Sequence, residues 1–389
     1  MKTLKGRLPG FEKELRNLKE ILLANLVMIG EIPAPTFDEE RRIRFLLDRF
    51  TESGIDDCST DEIGNGIGVV PGKKGERSIL IYAHADTLFS GRTDHTMQVS
   101  SETITGPGVA DNSIGVAVLA TMPMILEKLG IELEHNLILL GGVQSLGRGD
   151  LRGIRFFLEN NPFDISGAIC LEGVELGRLS YSSIGMLRGE ITCNVPEQYD
   201  FTRFGDASAI LTINEVINRI NAIPLPKRPR TSIVMGQIDG GSSFNTIARE
   251  ARLGFEVRSE SDEVVEEVGR RIDEIGVEVT SRKGAEVEVD IFARRRAGGI
   301  DFSDPLARCC RSVMQALYLE PKLAPSLSEL SALIDKEIPA LTLGLTSGDR
   351  LQKSAETITI EPIYKGITQV LGTILAIDGG YCDGSAKMD

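Results

Sequence analysis

The chain has 389 residues, 41% of them hydrophobic and 26% charged, enough for two or three domains with sizeable cores. Lys and Arg number 43 against 57 Asp and Glu, and the net charge of −14 excludes a broad attraction to nucleic acid or an anionic membrane surface. There are only 3 histidines, His84, His95 and His135, so a histidine-rich metal cluster is excluded and any metal must be held mainly by carboxylates.

No run of eighteen or more uninterrupted apolar residues occurs, and Met1 to Glu20 is charged and amphipathic without an apolar signal core. These features predict a cytoplasmic protein. The 6 cysteines are scattered without a C-x-x-C pair, and the adjacent Cys309 and Cys310 would form a strained disulfide, so reduced thiols are expected.

In chain order, apolar spacing predicts a helix over Phe11 to Val27 and, after the Pro33 to Thr36 turn, another over Glu39 to Ser53. Strands are expected at Gly66 to Val70 and Ser78 to Ala83, a helix at Gly115 to Leu129, and a buried strand at His135 to Gly142. A helix over Leu151 to Asn160 and a short strand from Ala168 to Glu172 follow. This alternation predicts an α/β layer with a mixed, largely parallel sheet, in which ligands collect at the carboxyl ends of strands. His84 and Glu172 are both expected at such ends.

Beyond Gly185 the pattern changes. Strands are expected at Met186 to Val195, Thr231 to Ile238, Glu250 to Arg258 and Ala285 to Phe292, with helices at Ala207 to Ile220 and Asp262 to Ile275. That β-α-β-β-α-β order is the split unit of a ferredoxin-like α+β domain. A helix at Pro305 to Tyr318, a strand at Ala340 to Leu345 and a closing helix at Ile363 to Ile377 resume the first pattern. The expected organisation is a discontinuous α/β domain, 1–184 with 296–389, and an inserted domain, 185–295.

The densest chemical signal is His84-Ala85-Asp86-Thr87 followed by Gly106-Pro107-Gly108-Val109-Ala110-Asp111-Asn112. In a strand, residues two apart share a face, so Asp86 can orient one ring nitrogen of His84 while the other points at a metal. A glycine-rich turn then delivers Asp111 at the start of a helix, where a carboxylate can bridge two cations.

These segments, with Leu171-Glu172-Gly173, Gly240 to Ile247, Arg258 and Ile338-Pro339-Ala340, resemble over nearly the whole chain a family of two-zinc metallopeptidases and amidohydrolases. That family includes peptidase T, aminoacylase, acetylornithine deacetylase and succinyl-diaminopimelate desuccinylase. The resemblance implies a zinc-exopeptidase-like sheet with an inserted lid or dimerisation domain, and a homodimer. It implies one metal half-site made of His84, Asp111 and Glu172, with Asp86 as the orienting carboxylate. Asn245 and Arg258 fall at substrate-contacting and turn-fixing positions.

The chain departs from the family at the other half. A Glu-Glu pair, general base then second-metal ligand, is expected after Gly142, where this sequence reads Val143-Gln144-Ser145-Leu146. The pair becomes Gln144-Ser145 or Ser145-Leu146, depending on alignment, and Gln144 stands at the base position without a carboxylate. The C-terminal ligand histidine becomes Gln352, and Tyr199 is the nearest candidate for the inserted domain's usual histidine. Arg148 and Asp150 are expected to pair in the vacated space. At most one tightly bound divalent metal, zinc, is expected. The sequence therefore predicts a protein that keeps a cleft for a peptide-like or N-acyl amino acid ligand without the standard two-zinc amide hydrolysis. The alternative is a single-metal aminopeptidase, dipeptidase or deacylase with Asp150 or Glu175 recruited as base.

Overall fold

The computed structural model describes residues 1–196, 208–283, 285–349, 351 and 353–383. Tyr199 and Gln352 lie outside the described residues. The chain divides into two compact units, Met1–Ser183 with Gly299–Asp389, and Ile184–Gly298.

The first unit is built on an eight-stranded sheet. Its centre is four parallel strands in the order Asn136–Gly142, Ser78–His84, Ile165–Val174 and Ala340–Thr346. Antiparallel strands flank them, with Gly66–Val70 and Cys58–Thr60 on one side and Arg178–Ser180 on the other; Lys322–Leu323, parallel to Arg178–Ser180, closes the edge. The Ser78–His84 strand is buried at every position, because helices cover both faces of the sheet. Ile79, Ile81 and Ala83 face the larger core, with the helices Ile114–Lys128 and Glu361–Asp378. Leu80 and Tyr82 face the opposite layer, with Ile154 and Phe157 of Arg152–Asn160 and Leu330 and Leu333 of Leu330–Asp335.

Two sequence expectations change. The N-terminal helix begins at Lys2 and breaks at a tight 3₁₀ turn, Arg16–Leu18, before resuming as Lys19–Gly30. At the break the Arg16 guanidinium reaches Glu361, 345 residues away, at 2.6 Å in an exposed ion pair. The strand expected to end at Glu172 runs on to Val174, which leaves Glu172 two residues inside the sheet.

In the second unit, four antiparallel strands lie in the order Thr231–Gly240, Glu250–Ser259, Gly185–Asn194 and Glu286–Arg295. Their apolar face packs against the helices Ala209–Asn221 and Asp262–Lys283. This is the ferredoxin-like order that the β-α-β-β-α-β pattern implies.

Candidate functional site

The strand pairing sets the site. Tyr82 is the register partner of Cys170 across the parallel ladder, so the next same-face residues, His84 and Glu172, stand at one level on neighbouring strands. Asp111 arrives from the turn above them. Gly108 adopts a left-handed φ of +67°, and a Cβ there would stand 2.7 Å from the Thr87 side chain. Three contacts then seat the turn. Asn112 Nδ2 donates to the Leu171 carbonyl at 2.8 Å, and Glu356 Oε2 accepts from the Ala110 and Asp111 amides at 3.0 and 3.3 Å. A Cβ on Gly173 would fall 2.0 Å from the Ala110 carbonyl, so only glycine permits this approach immediately beyond Glu172.

The His84 ring is 3% exposed and held from both ends. Its Nδ1 donates to the Asp86 backbone carbonyl at 3.0 Å and lies 3.5 Å from Asp86 Oδ1, while Nε2 faces Asp111 Oδ1 at 3.1 Å. A carbonyl only accepts, so Nδ1 carries the hydrogen. The 3.1 Å gap between Nε2 and the Asp111 carboxylate must then hold either a second proton or a cation. Two ligands of one tetrahedral zinc stand about 3.3 Å apart, which is the same spacing. Burial opposes a charge on the ring, yet the Asp111 and Asp86 carboxylates outweigh it and push its pKa well above the ordinary value.

Asp86 is fully buried. Its Oδ2 accepts from Thr36 Oγ1 at 2.8 Å and from the Ser145 and Leu146 amides at 3.0 and 2.8 Å. Burial works against its charge, but the His84 ring and these donors hold the carboxyl below its ordinary value. Arg42, completely buried, donates to the Ala85 carbonyl at 3.0 Å and to Ser113 Oγ at 3.3 Å, tying the His84 segment to the Asp111 turn. Burial brings its guanidinium down to about 10.

The expected base position carries no acid. Gln144 sits at φ +54°, its amide N–H donates to Glu39 Oε1 at 2.8 Å, and its own Oε1 is buried without a hydrogen-bond partner. Ser145 turns below the sheet end, 2.7 Å from the Tyr82 hydroxyl. A cavity of about 520 Å³ opens beside Gln144, lined by Phe37, Glu39, Ile63 and Val143. Asp150 lies 3.6 Å from Arg155, and Glu175 is bound to Lys322.

Glu329 is the residue that sequence reasoning missed. It directly precedes the Leu330–Asp335 helix and is 3% exposed. Burial lifts the Glu172 carboxyl to about 7, Glu329 and Asp111 add to the effect, and His84 and Arg178 oppose it. The available signal was an acid immediately ahead of an apolar run, Ser328-Glu329-Leu330.

Among the described residues, no three His, Cys, Asp or Glu side chains are close enough as placed to hold one ion. The structure brings His84 and Asp111 into contact, with Glu172 beside them on the next strand. By donor chemistry the set fits a divalent cation: one imidazole and two half-buried carboxylates, Asp111 and Glu172. Asn245 and Arg258 belong to the second unit. Asn245 accepts from Ser243 Oγ at 3.1 Å in an exposed loop, and Arg258 pairs with Glu256.

A family model described as a peptidase dimerisation domain of the M20 type matches residues 205–279. An uncharacterized protein, YgeY of Escherichia coli K12, is 29% identical over 120 residues; the match spans 29% of this chain and 29% of that protein. The dipeptidase Dug1p of Saccharomyces cerevisiae superposes with a TM-score of 0.78 at 13% identity, over 96% of this chain and 98% of that one. A Staphylococcus aureus tripeptidase gives 0.73 at 18% identity, over 93% and 99%. A dinuclear metal-binding M20 peptidase, YXEP of Bacillus subtilis, gives 0.64 at 15% identity, over 93% and 99%. The chain therefore has the M20 metallopeptidase fold, with its dimerisation domain inserted.

Proposed function

We propose that this M20-fold chain holds a peptide-like or N-acyl amino acid ligand at the His84 end of its main sheet, without the standard two-zinc amide hydrolysis. The observation that carries this reading is the segment after Gly142, which reads Val143-Gln144-Ser145-Leu146 and holds no carboxylate. Splitting an amide with a metal-activated water requires a group that takes the water's proton and passes it to the leaving nitrogen. An amide side chain cannot do this, and loss of the base costs about 10²- to 10⁴-fold in rate.

His84, Asp111 and Glu172 would hold at most one divalent cation, zinc by its liking for imidazole and carboxylate. When bound, such an ion supplies a Lewis acid for a carbonyl oxygen. The chain's own residues do the rest: Asp86 and its carbonyl fix the His84 ring, Arg42 locks that segment to the Asp111 turn, and the cavity beside Gln144 offers space for a ligand. The inserted domain pairs two copies of the chain, a role that its family match supports.

A single-metal hydrolase is the second reading, favoured by one observation, the buried Glu329 carboxylate acting on Glu172. The two separate in a hydrolysis screen of dipeptides and N-acyl amino acids with added Zn²⁺, Mn²⁺ or Co²⁺. The proposal expects ligand binding by calorimetry and no turnover with any metal. Turnover that His84→Ala abolishes would establish the hydrolase instead.

A further inference from the structure

We propose that the cavity beside Gln144 is a cation subsite, which takes the ammonium or guanidinium group of a ligand with a basic side chain. The inference rests on the reading that this cavity belongs to the ligand cleft, and it names the side chain that the cleft prefers.

Charge is the first ground. The cavity, of about 520 Å³, has the size of a small-molecule site. Asp38, Glu39 and Glu40, at the entry to the helix Glu40–Glu52, line it together with Asp61 and Glu62 from the loop after Cys58–Thr60. Among the described residues, Arg44 is the only basic residue in the lining, and it is paired with Glu40 at 2.5 Å. A helix dipole favours acids at its own N-terminus, which accounts for Glu39 and Glu40 but not for Glu62 on a separate loop. Ile43, Leu47 and Val143 give the rest of the lining an apolar character. A bare metal ion has no use for such surface, whereas the methylene stem of a basic side chain buries against it.

The second ground is a pair of unanswered acceptors. Glu39 is 4% exposed. Its Oε1 accepts from the Phe37 and Gln144 amides at 3.0 and 2.8 Å, and among the described residues its Oε2 has no hydrogen bond and no ion pair. The buried Arg42 does not answer it, because its guanidinium donates to the Ile32 and Ala85 carbonyls and to Ser113 Oγ. Burial keeps the Glu39 carboxyl above its ordinary value in spite of the two amides. In the same lining, Gln144 Oε1 is buried and also without a partner. Buried acceptors are costly until a donor reaches them, and an ammonium or guanidinium brings several N–H donors together with the charge that Glu39 lacks. The loop that follows joins the cavity to the His84 end. The Ser145 and Leu146 amides, directly after Gln144, donate to Asp86, whose carboxylate lies 3.5 Å from His84 Nδ1.

The test is calorimetric titration of Nα-acetyl-lysine and Nα-acetyl-norleucine, which differ by the ammonium group, into the full chain with Zn²⁺ present. Wild type, Glu39→Gln and the surface control Glu20→Gln are compared. Wild type and the control should bind the lysine compound about 10- to 100-fold more tightly than the norleucine compound. Glu39→Gln keeps an oxygen for the two amides and loses the charge. It should bind both compounds within twofold of one another, with norleucine affinity unchanged. Equal binding of the two compounds by wild type, or a preference that survives Glu39→Gln, would overturn the cation subsite and leave the ligand cleft standing. Binding of neither compound by wild type would overturn both. Should Glu39→Gln fail to fold, the exposed pair Asp38→Asn with Glu62→Gln should lower the lysine preference at least threefold; an unmoved preference overturns the proposal.

Discussion

The contact between His84 Nε2 and Asp111 Oδ1, 3.1 Å apart with Nδ1 already committed to a carbonyl, makes proton and cation competitors for one gap. Because the carboxylates raise the His84 pKa well above its ordinary value, cation affinity should climb with pH through the neutral range, with about one proton released per ion. Titration in buffers of different ionisation enthalpy measures that release; none would contradict the arrangement. Glu172 carries the opposite sign in the metal-free protein. Its carboxyl is raised from 4.5 to about 7, so the stability it contributes is full below 4.5 and is lost as pH rises through about 7. Urea melts of metal-free Glu172→Gln should therefore show a shallower decline than wild type across that window. Ser145→Ala leaves the fully buried Tyr82 hydroxyl without its 2.7 Å partner and should cost about 1–3 kcal/mol in the same assay. At this scale spacing and turn chemistry pointed to His84 and Asp111, which the structure places 3.1 Å apart, while Glu172 entered through the family resemblance. It hid Glu329 and Arg42, whose importance comes from burial against residues distant in sequence.

Among the elements, the glycine turn and the parallel strands explain why a few residues hold the site so firmly. Gly173→Ala would push the Ala110 carbonyl, 2.0 Å from the added Cβ, and move Asp111 away from His84. Cation affinity should fall while the far side of the sheet stays folded, which calorimetry with circular dichroism can read. The inserted unit presents a different surface. Leu211 is 67% exposed on the helix Ala209–Asn221, and Ile238 is 59% exposed on the sheet's outer strand, Thr231–Gly240. Paired subunits would cover both, so Leu211→Glu with Ile238→Lys should shift the chain towards monomer in sedimentation velocity. The order of elements was legible because hydrophobic period switches cleanly between strand and helix in both units. The 3₁₀ break at Arg16–Leu18 was not, since the buried positions Phe11, Leu15, Leu18 and Leu22 keep helical spacing straight through it.

On the scale of the whole molecule, the chain has the M20 fold, and the proposed function adds to it one half of a metal centre without the acids of the other half. The fold was readable from several motifs in the right order around an insertion of the right kind, and solved structures at 13% to 18% identity match more than nine-tenths of the chain. Chemistry was less readable, because fold does not fix function and the site depends on side chains that converge from distant segments. The most direct test is the number of ions bound. Anomalous diffraction at the zinc edge, from crystals soaked in excess Zn²⁺, should show a single peak beside His84 and Asp111. Two peaks about 3.5–4 Å apart, the spacing of a two-metal site, would contradict the account.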